Sequence, residues 1–374
     1  MKVAEDSLYL QLQSIRQMYE HYTVGDTIHW GDPKLMAIPT QAKLTPRSGR
    51  YTDDSPETND VIVFVHGWRM KPEERRSYAE TAYKRLFWQG YDGRFILFSW
   101  PTQWANYDTK INALWSAIGD PGNFARSEEI AFHSGAALAK LLQDLHGTYG
   151  PQGGKINIVA HSMGNIVVGE ALRKLVADGA GKIVDTYVAS QAAMGADAYI
   201  GSVGGPYPPA FAGYLGGDNP WFRHIDDAAV RIVNFFNPDD VALTNWEVVN
   251  DAKADWYSTQ SNEGEREGLP GFGYKYYQVD GTSWWRENAA GQRTQISFPT
   301  APYEMFAYLA HDDESALGRV PLAEKGGPVN ADVDLSEMPF LFKDDHSGQF
   351  TSDIVSRREY WRELMSQSGL EVRP

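Results

Sequence analysis

The sequence predicts an α/β protein with a mostly parallel central sheet and helices on both faces. Three observations lead there. Nearly unbroken apolar runs recur along the chain, among them Val61-Ile62-Val63-Phe64-Val65 and Ile156-Asn157-Ile158-Val159-Ala160. Strands buried on both faces read this way, without alternation. Segments with apolar residues at three- and four-residue spacing lie between the runs. Such alternation of strand and helix requires crossover connections, and hence parallel strands.

Each element follows in order. Residues 7–22 read as a helix, because Leu8, Leu12, Ile15, Tyr19 and Tyr22 form one apolar face and Ser7 can cap it. Residues 23–60 are polar and rich in Pro, Thr and Asp, an irregular lead-in with room for a short strand. Residues 1–60 are therefore expected to form an N-terminal extension, and 61–374 the main domain. Val61 to Val65 is the first strand, and 73–90 a helix ending at Gly90. Arg94 to Trp100 is the second strand, stopped by Pro101. Ser127 to His146 is a helix, with Ile130, Ala137, Leu138, Leu141 and Leu145 on one face. Ile156 to Ala160 is the third strand, and a helix opens after Ser162. Ile183–Ser190, Val230–Phe236 and Tyr274–Val279 read as further strands. Two insertions, about 196–229 and 255–300, interrupt the alternation with aromatics such as Tyr207, Phe211, Trp221, Trp256, Trp284 and Trp285. Long aromatic loops in a compact domain are commonly lids or binding walls.

Composition narrows the chemistry. The chain of 374 residues has no cysteine, which removes disulfides, thiolate metal sites and thiol nucleophiles. A net charge of −15 argues against nucleic acid as the main partner. There is no apolar stretch of about 20 residues to span a membrane, and the first residues do not read as a signal peptide. The compartment stays open: cytoplasmic, or secreted with the signal already removed. The sequence has no His-Glu-x-x-His, no phosphate loop and no dinucleotide fingerprint, so no cofactor and no metal are expected. The Asp312-Asp313 and Asp344-Asp345 pairs have the chemistry to hold a cation, but solvated acidic turns are the plainer reading.

The chemistry concentrates at Ala160-His161-Ser162-Met163-Gly164, between the third strand and a helix. A tight strand-to-helix turn there pushes the Ser162 hydroxyl out at the carboxyl edge of the sheet, and the small residues two before and two after relieve the crowding. The usual first position is Gly, so Ala160 is a departure. The plainer reading of Ser162 is an ordinary helix cap. An acyl-transfer serine also needs two N–H donors for the oxyanion. The Met163 amide supplies one, and the loop His66-Gly67-Trp68 supplies the other near Trp68. His66 itself reads as a strand-end residue, and His161 as packing beside the serine. An acid is expected after the fifth strand, at Asn237-Pro238-Asp239-Asp240. Either Asp239 or Asp240 serves, with Asp240 preferred, although both also suit a Pro-Asp turn. Beyond residue 240 the histidines are His311 and His346. His311 ends a helical stretch just before Asp312 and Asp313 and reads as a surface residue. His346 lies in a polar loop before a C-terminal helix and is the better base. An imidazole base loses activity on the acid side.

These residues together resemble the alpha/beta-hydrolase superfamily, in which the chain order is serine, acid, histidine. The nearer likeness is to a largely uncharacterised bacterial group. It rests on Phe64-Val65-His66-Gly67, Phe98-Ser99-Trp100-Pro101 and Ala160-His161-Ser162-Met163-Gly164-Asn165, with Asp240-Val241-Ala242-Leu243 as the acid segment and His346-Ser347 as the histidine segment. The resemblance is specific over 61–195 and looser over 230–355. It implies an alpha/beta-hydrolase fold and a serine esterase with Ser162, His346 and Asp240 as triad and the Trp68 and Met163 amides as oxyanion hole. The expected partner is a small-molecule or polymeric ester, short-chain or aromatic. Lipase, thioesterase or amidase activity on the same fold is the alternative, as is a non-catalytic binding module that retains the scaffold.

Overall fold

Val61–Val65 is buried along its whole length, as an unbroken β-branched run demands, and it organises the sheet around it. The computed structural model describes residues 19–24, 42–45, 58–70, 72–100, 102, 121–200, 222–247, 274–279, 283–288, 293–296, 315–338, 346–351 and 354–370. The strands are β1 Tyr19–Val24, β2 Ala42–Thr45, β3 Val61–Val65, β4 Arg94–Ser99, β5 Ile156–His161, β6 Val184–Ser190, β7 Ala229–Phe236, β8 Tyr274–Val279, β9 Ser283–Asn288, β10 Arg293–Ile296 and β11 Ala331–Asp334. The helices used below are α1 Pro72–Trp88, α2 Pro121–Tyr149, α3 Gly164–Ala177, α4 over 241–247 and α5 Ile354–Gln367.

The main sheet has eight strands in the order β11-β7-β6-β5-β3-β4-β1-β2. All neighbours are parallel except β1 and β2. On one face α2 and α3 pack through Leu138, Leu142, Ile166 and Leu172 against Val63, Ile96 and Ile158. On the other face α1 and α5 pack through Tyr83, Leu86, Trp361 and Leu364 against Ile62, Phe64, Phe95 and Val159. Successive strand residues therefore feed opposite cores, which is why these strands show no polar alternation.

After β3 the chain moves one way, to β4. It then crosses back to β5 on the other side of β3 and continues to β6 and β7. The strand order thus reverses between β3 and β5. At such a point the loops leaving the carboxyl ends diverge and open a crevice, the usual ligand position in an open α/β sheet.

Several expectations change. Tyr19 to Tyr22, expected as the end of a helix, lie in β1, which pairs in parallel with β4 from Tyr19↔Phe95 to Thr23↔Ser99. Tyr, Thr and Val suit a strand, and the open edge of β4 supplies a partner that apolar spacing alone does not reveal. Residues 7–18 lie outside the described residues. Helix α2 opens at Pro121 rather than Ser127; proline suits a first turn, where its missing N–H costs nothing. Tyr274–Val279 is a strand, but it belongs to a separate antiparallel sheet ordered β10-β9-β8. Strand β11 was not expected, because Ala331-Asp332-Val333-Asp334 is short and polar. Asp332 is used locally: its carboxylate accepts from the Leu322 and Ala323 amides and from Asn234 Nδ2. Of the insertion at 196–229, residues 201–221 lie outside the described residues, as does all of 255–300 except β8, β9 and β10.

Candidate active site

Strand β5 ends at His161 and α3 begins at Gly164, leaving two residues to turn the chain. Ser162 makes the turn with φ 55°, in the left-handed region. For a residue with a side chain this costs about 1–2 kcal/mol. Its backbone is held on both sides. The Ser162 N–H donates to Ser190 O at 3.0 Å, and its carbonyl accepts from Asn165 N at 3.1 Å and Asn165 Nδ2 at 2.7 Å. Asn165 Oδ1 is fixed in turn by the Tyr187 hydroxyl at 2.7 Å. The last residue of the Ala-His-Ser-Met-Gly-Asn motif thus clamps the serine's own peptide.

The loop after β3 lies directly against this turn. A Cβ on Gly67 would lie 2.9 Å from Ser162 Cβ, and one on Gly164 would lie 2.6 Å from His66 O. Neither position admits a side chain, which explains the glycine in both motifs. His66 shapes the loop. Its Nε2 accepts from the Trp100 N–H at 3.2 Å, so Nδ1 carries the proton and donates to Gly67 O at 2.8 Å. The Trp100 indole N–H donates back to His66 O at 2.7 Å, and the two rings stack 5.3 Å apart. The His-Gly and Ser-Trp-Pro motifs are therefore two halves of one buried contact between neighbouring strand ends. Arg75 adds a brace from α1, donating from Nε to Met70 O at 2.8 Å and from a terminal guanidinium nitrogen to Ser99 Oγ at 3.3 Å.

Trp68 is half-buried beside the turn, with its indole N–H donating to Ser127 Oγ at 3.0 Å. Met163 is the residue before α3, and its side chain is buried. Among the described residues its N–H makes no hydrogen bond. That amide sits at the positive end of a helix of 14 residues.

Asp240 and His346 meet, although 106 positions separate them: His346 Nδ1 lies 2.7 Å from Asp240 Oδ2. Asp240 is buried, and its carboxylate also accepts from the Leu243 N–H at 3.0 Å and Gln191 Nε2 at 2.7 Å. Burial pushes its pKa up. The His346 charge and hydrogen bond, the Leu243 amide and the Gln191 amide outweigh that and hold it below the ordinary carboxylate value. An ionised Asp240 only accepts, so His346 Nδ1 carries a proton and Nε2 keeps its lone pair when the ring is neutral. Asp239 is exposed, and its N–H donates to Asn237 Oδ1 at 3.2 Å; the two neighbouring acids thus divide into one buried partner and one turn residue. His311 lies outside the described residues.

His161 ties the two halves together. Its Nε2–H donates to the His346 carbonyl at 2.7 Å, and the two rings lie 4.8 Å apart. Burial, then the nearby His346, push its pKa down to about 3, so the ring is neutral. The loop carrying His346 is thereby docked on the residue that precedes Ser162.

The expected site residues Ser162, Met163, Trp68, Asp240 and His346 thus all follow strand ends on one edge of the sheet or dock onto them. Sequence reasoning missed Gln191. Its one signal was position: a polar residue directly after the apolar run that ends at Ser190, on the same edge as the serine. Among the described residues no group of three or more His, Asp or Glu could hold a metal, and no helix is long and apolar enough to cross a membrane.

A parallel sheet reversing between β3 and β5, with a strained serine turn leading into α3, is the alpha/beta-hydrolase fold. Residues 52–195, which run from just before β3 to just past β6, match a family described as "Alpha/beta hydrolase of unknown function (DUF900)". No curated protein matches the chain. Solved structures similar to it include the esterase Pf2001 of Pyrococcus furiosus, with 14% identity over 52% of this chain and 70% of that one and a TM-score of 0.24. The mature lipase BlEst2 of Bacillus licheniformis has 15% identity over 52% and 72%, with a TM-score of 0.27. The phospholipase PlaB of Legionella pneumophila has 16% identity over 48% and 38%, with a TM-score of 0.24.

Proposed function

We propose that the protein is a serine hydrolase of carboxylic esters. The observation that carries this reading is the placement of a left-handed Ser162 turn and a buried Asp240–His346 pair on one sheet edge, linked through His161. Ser162 Oγ attacks the ester carbonyl while His346 Nε2 takes its proton. Asp240 keeps the proton on Nδ1, which leaves Nε2 free to act as base, and it stabilises the imidazolium that forms. The Met163 and Trp68 amides receive the developing oxyanion, aided by the α3 terminus. The imidazolium returns its proton to the leaving alcohol. Water then adds to the acyl-enzyme, giving a proton to His346, and Ser162 departs with that proton.

The substrate class is argued from composition. The insertions at 196–229 and 255–300 are rich in Trp, Tyr and Phe, which suits an acyl pocket for short or aromatic esters, in a small molecule or a polymer. The test is hydrolysis of p-nitrophenyl esters across acyl lengths, wild type beside Ser162→Ala. The expected result is turnover that Ser162→Ala abolishes, with a length profile that sizes the pocket. Turnover that survives in Ser162→Ala would overturn the assignment of the nucleophile.

A further inference from the structure

Gln191 is buried and takes φ 43°, a left-handed conformation that a long side chain seldom adopts. Something must hold it there. Its N–H donates to Phe235 O at 2.8 Å, joining the chain after β6 to the end of β7. The segment 316–319 closes over it from the other side. Gly318 N–H donates to Ala192 O at 3.0 Å, Leu317 N–H to Met194 O at 2.7 Å, and Asn237 N–H to Gly318 O at 2.8 Å. A Cβ on Gly318 would lie 2.6 Å from Gln191 Cα, so this glycine allows the close approach. The same segment is fastened to the acid loop by Arg319, which donates to Pro238 O from Nε at 3.0 Å and from a terminal nitrogen at 2.7 Å.

What this framework delivers is one amide. Gln191 Nε2 lies 2.7 Å from Asp240 Oδ2, the oxygen that His346 Nδ1 engages at the same distance. The other oxygen, Oδ1, accepts from the Leu243 N–H. A carboxylate held by a single donor is free to turn about its bond to Cβ. Apart from His346 itself, Leu243 and Gln191 give one donor to each oxygen, and together they fix the plane independently of the ring that it must orient. We propose that Gln191 is a positioning residue that sets the orientation of Asp240, and through it the direction in which His346 presents Nε2. An amide suits this role because it donates at every working pH, whereas a carboxylate in its place would repel Asp240. The inference rests on the reading of Ser162, His346 and Asp240 given above.

The test uses two variants chosen for the backbone. Gln191→Gly removes the amide and accepts the positive φ without strain. Gln191→Asn tolerates the same φ, but its amide falls one methylene short of Asp240. Two readouts are taken on the full chain. One is the far-downfield proton resonance of the His346 Nδ1–H, assigned by its loss in His346→Gln. The other is kcat and KM on the ester turned over best. Both variants are expected to fold, the lost buried hydrogen bond to Asp240 lowering stability and the relief of backbone strain offsetting part of that loss. The resonance moves or broadens, and kcat falls roughly 10- to 100-fold with KM held. An unmoved resonance overturns the proposal, even if kcat falls, and so does an unchanged kcat in both variants. The resonance reports the Gln191–Asp240–His346 contact whether or not Ser162 is the nucleophile. Failure of the triad reading, seen as turnover surviving Ser162→Ala, is thereby distinguishable from failure of this one.

Discussion

Acid is expected to destabilise this protein in part through the buried imidazole of His161, and that part of the slope follows from the structure. His161 is 4% exposed, its Nε2–H is committed to the His346 carbonyl, and its Nδ1 has no hydrogen-bond partner among the described residues. Burial, followed by the His346 neighbour, pushes its pKa from 6.5 down to about 3. The folded chain therefore stays unprotonated at His161 while the unfolded chain binds a proton. Where the unfolded state binds more protons, stability falls as pH falls. The contribution is complete above the unfolded value and shrinks by up to about 1.4 kcal/mol per pH unit until the folded value is reached. Between about pH 6.5 and 4.5, a window mostly above the carboxylate range, the loss from His161 alone comes to about 2 kcal/mol. The substitution to compare is His161→Gln, whose Nε2 can reach the same carbonyl without carrying a titrating ring. Urea unfolding followed by tryptophan fluorescence, at half-unit pH steps, gives the two slopes. The wild type is expected to lose about 2 kcal/mol more than His161→Gln across that window. Equal slopes would refute the reasoning, because a His161 exposed enough to protonate in the folded state contributes no such difference.

Other consequences follow from the same geometry. Asp240→Asn is expected to lower kcat on a p-nitrophenyl ester by about 10⁴-fold, since an amide no longer holds the proton on Nδ1; Asp239→Asn, at an exposed turn, changes it by less than about twofold. Gly67→Ala drives a methyl onto Ser162 Cβ, 2.9 Å away, and into 3.2 Å approach to the His161 carbonyl. A cost of about 1–3 kcal/mol in urea unfolding is expected, with a loss of kcat larger than the stability change explains. Trp100→Phe keeps the ring stack over His66 but removes the N–H that donates to the His66 carbonyl. It is expected to cost about 1 kcal/mol, because one buried hydrogen bond is lost.

Much of the sheet and of the candidate site was legible because both were written in local pattern. Val61–Val65, Arg94–Ser99 and Ile156–His161 are apolar runs with one plausible conformation, and the Ser162 turn is a short motif between a strand and a helix. The candidate order Ser162, Asp240, His346 was readable once the strands were placed, because Ser162 and Asp240 each follow an apolar run and His346 lies in a polar loop before the last helix. What escaped depends on partners distant in sequence. Tyr19–Val24 reads as helix or strand by its own spacing, and the free edge of β4 decides between them. Strand β11 is polar by composition and forms because β7 offers its edge and Asn234, Leu322 and Ala323 absorb Asp332. The role of Gln191 is fixed by Phe235, Gly318 and Asp240, and no spacing rule connects those four positions.

The distribution of backbone strain connects these observations. Among the described residues, three non-glycine positions take positive φ: Arg69 at 57°, Ser162 at 55° and Gln191 at 43°. They follow β3, β5 and β6, three adjacent strands, and all sit on the carboxyl edge. Strain of this kind costs roughly 1–3 kcal/mol per residue and persists only where the surroundings over-determine it. At Ser162 those surroundings are Asn165, Ser190 and Gly67; at Gln191 they are Phe235 and the 316–319 segment. A fold that needed only stability would place Gly or Asn at such turns. The hydroxyl and the amide carried there are the two groups that the proposed chemistry uses, one to attack and one to hold the acid. Ser162→Gly is therefore expected to leave the fold at least as stable while removing function, and Gln191→Gly to lose less stability than its buried hydrogen bond alone would cost, because each relieves a left-handed φ. A melting temperature that drops by several degrees in Ser162→Gly would mean that the side chain holds the fold, and that the strain has a structural origin.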